Sequence, residues 1–181
     1  MSSVIKTNKS VPVSHPDYSA LPAIVRILLT TDGTVTRILE AWFNEPMSLQ
    51  SLNQELIQLD TDQPWINAVA GDQILQREVS LIGSNSGKVC INAISLVRLQ
   101  ELDEALINEL LPGQIGIGEL LHERGIGTHR EILGIETDSN ADLTTKSVTD
   151  VSRTYRIFVN NSPCILVTER FPLSTYQPDQ T

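Results

Sequence analysis

The residues best placed to do chemistry are an arginine and a glutamate, far apart in the chain and each set among apolar neighbours. In Leu75-Gln76-Arg77-Glu78-Val79-Ser80-Leu81-Ile82, side chains two apart share a face of a strand, so Leu75, Arg77, Val79 and Leu81 line one side. The closing run Ile165-Leu166-Val167-Thr168-Glu169-Arg170-Phe171 repeats the pattern with opposite charge: Ile165, Val167, Glu169 and Phe171 share a face. A charge set into an apolar surface is costly unless a partner or a ligand satisfies it. Arg77 and Glu169 could pair with each other, or with Glu78 and Arg170 on adjacent strands, as ordinary cross-strand ion pairs. Alternatively, a small anionic ligand sits between them. Parity alone leaves both open.

Other chemistries lack their motifs. Gly116-Ile117-Gly118 has no third glycine and no βαβ unit around it, so it is not a dinucleotide site. His122-Glu123 is followed three positions on by Ile126, which breaks the zinc-protease pattern. His129, Cys90 and Cys164 have no ligand-like spacing, and no serine nucleophile elbow is present. No metal is expected. A net charge of −9 and a pI near 4.7 argue against nucleic acid and anionic membranes as partners. Any anionic ligand must then be drawn in by a local basic cluster. Nine of the 13 basic residues are arginines, the side chain whose planar fork suits carboxylates.

At 181 residues with 40% hydrophobic content, the chain is expected to be one domain over 17–181, preceded by a loose arm, 1–16. The arm has no apolar signal region and no run approaches a membrane span, so a cytosolic (cytoplasmic) protein without a span is expected. Cys90 and Cys164 read as small buried hydrophobes. Helical spacing joins Leu21, Ile24, Val25 and Leu28, and again Val35, Ile38, Leu39 and Trp42. Met47–Leu59 fits neither period and reads as an irregular or bulged strand. Asp60–Pro64 is a loop and Trp65–Val69 a short connector. Gly83-Ser84-Asn85-Ser86-Gly87-Lys88 is hairpin chemistry joining Leu75–Ile82 to Val89–Val97. Leu99, Leu102, Leu106 and Leu110 mark a third helix, ended by Pro112-Gly113. A glycine-dense stretch runs on to Gly134, then a polar loop, 138–150. Tyr155–Val159, the turn Asn160–Pro163 and the Glu169 strand close the chain. Strands joined by hairpins, with helices set among them, indicate α+β with an antiparallel sheet covered by helices.

Five segments in order carry a resemblance: Leu28-Leu29-Thr30-Thr31-Asp32-Gly33-Thr34-Val35-Thr36-Arg37, Arg77–Leu81, Gly116-Ile117-Gly118-Glu119-Leu120-Leu121, Arg130-Glu131-Ile132, and Pro163–Pro172. Together, from about Leu21 to Tyr176, the chain resembles the chorismate pyruvate-lyases, most closely cyanobacterial members serving plastoquinone synthesis. The resemblance implies a cofactor-free lyase that converts chorismate to 4-hydroxybenzoate and pyruvate, acting as a monomer. It also implies a buried site under flap-like segments. Arg77 would grip the ring carboxylate, Glu169 would meet the ring hydroxyl, and backbone groups near Val35 and Ile117 would complete the pocket. The family often has Met at the position of Val35, and Pro before a Leu-Gly where Ile117-Gly118 stands. Arg130 matches the family pattern as the group for the enolpyruvyl carboxylate, with Arg37 and Arg153 as alternatives. On its apolar face, Glu169 is expected to hold its proton more tightly through desolvation. Effector-binding domains of GntR-type regulators resemble the same fold and bind small molecules without turnover. They normally follow a winged-helix segment with a basic recognition helix, which the N-terminal part of this chain does not resemble. A lyase acting on a different aromatic acid is the third reading.

Overall fold

Alternating burial along the strands sets the architecture. In the computed structural model, which describes residues 18–137 and 148–177, β2 (Gln73–Gly83), β3 (Val89–Val97), β5 (Asp150–Val159) and β6 (Ser162–Pro172) each turn one apolar side inward. With the edge strands β1 (Met47–Gln58) and β4 (Thr128–Thr137) they make one antiparallel sheet in the order β1-β2-β3-β6-β5-β4. The expected α+β fold is the one observed. The expected N-terminal arm, and most of the polar loop after Thr137, lie outside the described residues.

Hairpin chemistry operates where the sequence placed it. Gly83 donates to the carbonyl of Lys88 at 3.0 Å, and the Glu45 carboxylate accepts from the backbone of Asn85 and Ser86. Between β5 and β6, Asn160 and Asn161 take φ of 51° and 65°, the left-handed pair that a two-residue hairpin turn requires. The irregular reading of β1 is also correct: its register against β2 shifts between Ser51 and Asn53.

Among the described residues, four α-helices accompany the sheet in two pairs. α1 (Ala23–Thr30) and α2 (Val35–Phe43) precede β1, whereas α3 (Glu104–Leu110) and α4 (Ile117–Glu123) lie between β3 and β4. The first pair packs Leu28, Leu29 and Leu39 over Cys90, Ile91, Val151 and Phe171 at one end of the inner face. The second packs Leu106, Leu110, Leu120 and Leu121 over Leu75, Val97, Ile157 and Ile165 at the other end. Between the two clusters a band across the middle of the sheet faces the first turns of α2 and α4. A smaller cluster of Ile66, Ala68, Ile74, Leu96 and Leu166 lies on the opposite face.

Several local expectations are corrected. Trp42 is 54% exposed, and Phe43 packs inward instead. Leu99–Leu110 is not one helix: a 3-10 turn spans Leu99–Glu101, then Asp103 accepts from the Leu106 amide at 2.8 Å and starts α3 anew, as a capping aspartate does. The glycine-dense stretch holds both α4 and β4, because Ile117, Leu120 and Leu121 recur at helical spacing between its glycines. β5 begins at Asp150, five residues before the strand read from Tyr155.

Cys90 and Cys164 are both buried and free, one in each large cluster. Burial pushes each thiol from an ordinary 9.0 up to about 11. A group whose folded pKa is raised stabilises fully below its unfolded value and loses that contribution as pH rises beyond it. The urea midpoint of unfolding is therefore expected to stay level up to about pH 9 and to fall between about pH 9 and 10. A midpoint that stays level across that window would contradict the burial of both thiols.

Candidate active site

Arg77 stands in the middle of β2, on the inner face and 2% exposed. Its Nε donates to Oε1 of Gln54, its register partner on β1, at 2.7 Å. Its Nη2 donates to the carbonyl of Ile115, in the segment leading into α4, at 2.9 Å. Gln54 in turn donates to the carbonyl of Leu111, so β1 and the α3–α4 connection together hold the guanidinium. Both partners of Arg77 are neutral, and burial lowers it to about 10. No carboxylate among the described residues pairs with it.

Direct pairing of Arg77 with Glu169 does not occur, and the register says why. Arg77 faces Ser95 and then Val167, whereas Glu169 faces Ala93 and then Val79. One whole strand, β3, separates them, about 10 Å of sheet at the usual strand spacing. Glu169, 6% exposed, is instead paired across β5–β6 with Arg153, whose Nε donates to Oε2 at 2.7 Å. The Tyr155 hydroxyl donates to Oε1 at 2.9 Å. Burial first, and Glu169 second, push that phenol well above its ordinary range. The Arg153 guanidinium lies 4.9 Å from the centre of the Tyr155 ring and reaches the carbonyl of Thr31 at 2.7 Å. Glu169 is thus not the bare desolvated carboxyl expected from its own strand. A guanidinium and a phenol both donate to it, which favours an acceptor.

Strand parity offers Arg170 as a neighbouring partner for Glu169 and gives no sign of Tyr155. The signal that could have found it is the alternation Val151, Arg153, Tyr155, Ile157, Val159, which puts Arg153 on an apolar face just as Arg77 is. A strand begun at Tyr155 hides it.

Of the three arginines considered for a second carboxylate, Arg130 reaches the same space as Arg77. It extends from β4, donates from Nη1 to the carbonyl of Asp32 at 2.6 Å, and leaves a buried Nε without a partner. A Cβ on Gly118 would lie 3.0 Å from its Nη2, so the glycine makes room for the guanidinium. Arg37 is exposed and lies against His122. Arg153 is engaged with Glu169.

These groups surround a cavity of about 110 Å³ in the middle band of the sheet. Apolar cavities of roughly this scale, ~150 Å³, take up a benzene ring. Val79, Leu81, Ala93, Ile157 and Val167 give it an apolar floor, with Ser95 and Tyr155 among them. Val35 and Ile117, the first residues of α2 and α4, line its rim, and neither helix start has a side-chain cap. All five residues singled out from sequence (Arg77, Glu169, Val35, Ile117 and Arg130) line this one cavity. Among the described residues no group of three or more His, Cys, Asp or Glu is arranged to hold a metal. What the site offers is two guanidinium groups with no carboxylate of their own, a restrained carboxylate acceptor, and a slot for one ring.

The family model described as Chorismate pyruvate-lyase Rv2949c-like matches residues 29–177. The chain belongs to that family. As a member of this chorismate pyruvate-lyase family it is a carbon–oxygen lyase. It is 30% identical over 177 residues to a protein of Mycobacterium leprae named chorismate pyruvate-lyase, covering 94% of this chain and 83% of that one. A protein of the same name from Mycobacterium tuberculosis is 26% identical, covering 91% and 87% respectively. Among solved structures, the effector domain of PhnF from Mycobacterium smegmatis superposes with a TM-score of 0.56 at 12% identity, covering 77% of this chain and 88% of that one. The C-terminal domain of the histidine utilization repressor from Pseudomonas syringae gives 0.51 at 8% identity, covering 75% and 97%. At such identities these neighbours share the fold alone. No helix among the described residues is long and apolar enough to cross a membrane.

Arg77 and Arg153 are equally buried but differ in what their loss leaves behind. Arg153→Met strands the Glu169 carboxylate and is expected to cost ~3–5 kcal/mol of unfolding free energy. Arg77→Met strands no charge and removes a desolvated one, so about 1 kcal/mol or less is expected. Urea titrations of both variants decide it; equal losses would mean that Arg77 also neutralises a buried charge.

Proposed function

We propose that this chain is a chorismate lyase, eliminating pyruvate from chorismate to give 4-hydroxybenzoate. One observation carries the reading: Arg77 and Arg130 line a single ring-sized cavity, and neither has a carboxylate partner among the described residues. A ligand bearing two carboxylates on a six-membered ring supplies what both lack. The family membership and the name of the mycobacterial relatives support the same substrate.

The chemistry is redox-neutral. The C3–O bond to the enolpyruvyl group breaks, the C4 proton leaves, and enolpyruvate takes up that proton as it becomes pyruvate. The ring becomes aromatic, which drives the step, so the protein's part is to orient and polarise. In this reading Arg77 anchors the ring carboxylate and Arg130 takes the enolpyruvyl carboxylate, where it also stabilises negative charge on the departing group. Glu169, with lone pairs left after Arg153 and Tyr155 have donated, accepts a hydrogen bond from the C4 hydroxyl. That acceptance pushes electron density toward the ring as the C3–O bond opens. Backbone amides at Val35 and Ile117 close the rim, the protein works as a monomer, and the 4-hydroxybenzoate feeds ring synthesis for quinones of the plastoquinone or ubiquinone type.

Purified protein mixed with chorismate is expected to release 4-hydroxybenzoate and pyruvate in equal amounts. Arg77→Ala should raise KM on the order of 100-fold, and Glu169→Gln should lower kcat by a similar factor with KM little changed. Unchanged turnover in either variant overturns the assignment of roles. Tight binding of 4-hydroxybenzoate with no turnover of chorismate would favour a sensing module, the role of the regulators that share the fold.

A further inference from the structure

Ser95 lies directly opposite Arg77 in the β2–β3 register, on the same inner face, and lines the cavity. It is 6% exposed, and its hydroxyl is not among the fully buried unpartnered side-chain atoms, so what accessible surface it has opens onto the cavity. Other hydroxyls on these strands are paired: Ser80 donates to Oδ1 of Asn92 at 2.7 Å, and Thr154 meets Thr168 at 2.9 Å. The floor around Ser95 is otherwise apolar, with Ala93 and Val167 beside it, so its hydroxyl is a polar group offered to whatever occupies the cavity.

Arg77 shows what the hydroxyl is for. Its Nε and Nη2, which form the side-on fork of a guanidinium, already donate to Gln54 and Ile115. Three of its five N–H groups remain, two on Nη1 and one on Nη2, whereas an ionised carboxylate offers about four acceptor sites on its two oxygens, so a held carboxylate has room for a further donor. Residues directly opposite on paired strands have Cβ atoms only about 5 Å apart, so a donor on Ser95 reaches the same anion. We infer that Ser95 is a substrate-binding residue, donating to the second oxygen of the ring carboxylate that Arg77 holds. This rests on the lyase reading of the cavity and deepens it: the pocket selects a carboxylate, not merely a ring.

Binding of 4-hydroxybenzoate and of phenol, which lacks the carboxylate, can be measured by titration calorimetry on the whole chain and on its Ser95→Ala and Arg77→Ala variants. Ser95→Ala is expected to weaken 4-hydroxybenzoate by about 5- to 20-fold, to leave phenol unchanged, and to keep or raise the melting temperature. With chorismate, KM should rise while kcat holds. Unchanged affinity for 4-hydroxybenzoate in Ser95→Ala, or equal weakening of both ligands, overturns the role of Ser95. If Arg77→Ala loses 4-hydroxybenzoate while Ser95→Ala keeps it, only Ser95 is misassigned. If the unaltered protein binds no 4-hydroxybenzoate, the lyase reading falls and Ser95 with it.

Discussion

Three buried charges sit on the inner face of one antiparallel sheet, and two of them cancel. Arg153 and Glu169, opposite one another on β5 and β6, form a closed ion pair. Arg77, one strand beyond β3, is left as an unbalanced cation in an apolar surface. Everything distinctive about the site stems from that imbalance. A lone buried guanidinium is tolerated because Gln54 and the Ile115 carbonyl hold it, yet neither neutralises it. In a protein of net charge −9, a local excess of arginine is what lets an anion be drawn inward against the overall field.

The space for that anion exists because the helices come in two pairs that cover the two ends of the sheet and not its middle. Leu28, Leu29 and Leu39 fill one end; Leu106, Leu110, Leu120 and Leu121 fill the other. The central band, where Arg77, Ser95, Tyr155 and Glu169 sit, is spanned by the first residues of α2 and α4. Arginines anchor the segments leading to both. Arg153 and Arg130 hold the carbonyls of Thr31 and Asp32 ahead of α2, and Arg77 holds that of Ile115 ahead of α4. The residues that would meet the ligand also fix the rim of its pocket, so binding and rim geometry are coupled through the same side chains.

Regulator effector domains share this fold, and a fold alone does not distinguish holding a ligand from transforming it. The proposed elimination calls for an acceptor beside the ring and a cation at the leaving group. Glu169 and Arg130 line the same cavity here, and in the proposed reaction they would fill those two roles.

Much is legible in the amino-acid sequence by itself. Strand parity alone put Arg77 and Glu169 on apolar faces, since side chains alternate with period two whatever the strands pair with. The hairpins at Gly83–Lys88 and Asn160–Asn161 were readable because left-handed turns demand particular residues locally. The failures have two causes. Trp42 lies outside the core, α4 forms within a glycine-dense stretch, Asp103 splits one apparent helix, and Arg153 belongs to a strand longer than its apolar part. At Trp42 and Asp103, packing or a cap outweighed the local pattern. By contrast, α4 and the start of β5 follow local patterns that glycines and a polar flank obscure: Ile117, Leu120 and Leu121, and the alternation Val151 to Val159. Sequence determined which residues could be charged inside an apolar sheet. Only the strand order β1-β2-β3-β6-β5-β4 decided that Glu169 meets Arg153 and that Arg77 meets no carboxylate, because register between distant strands is set by the whole sheet and is written in no single segment.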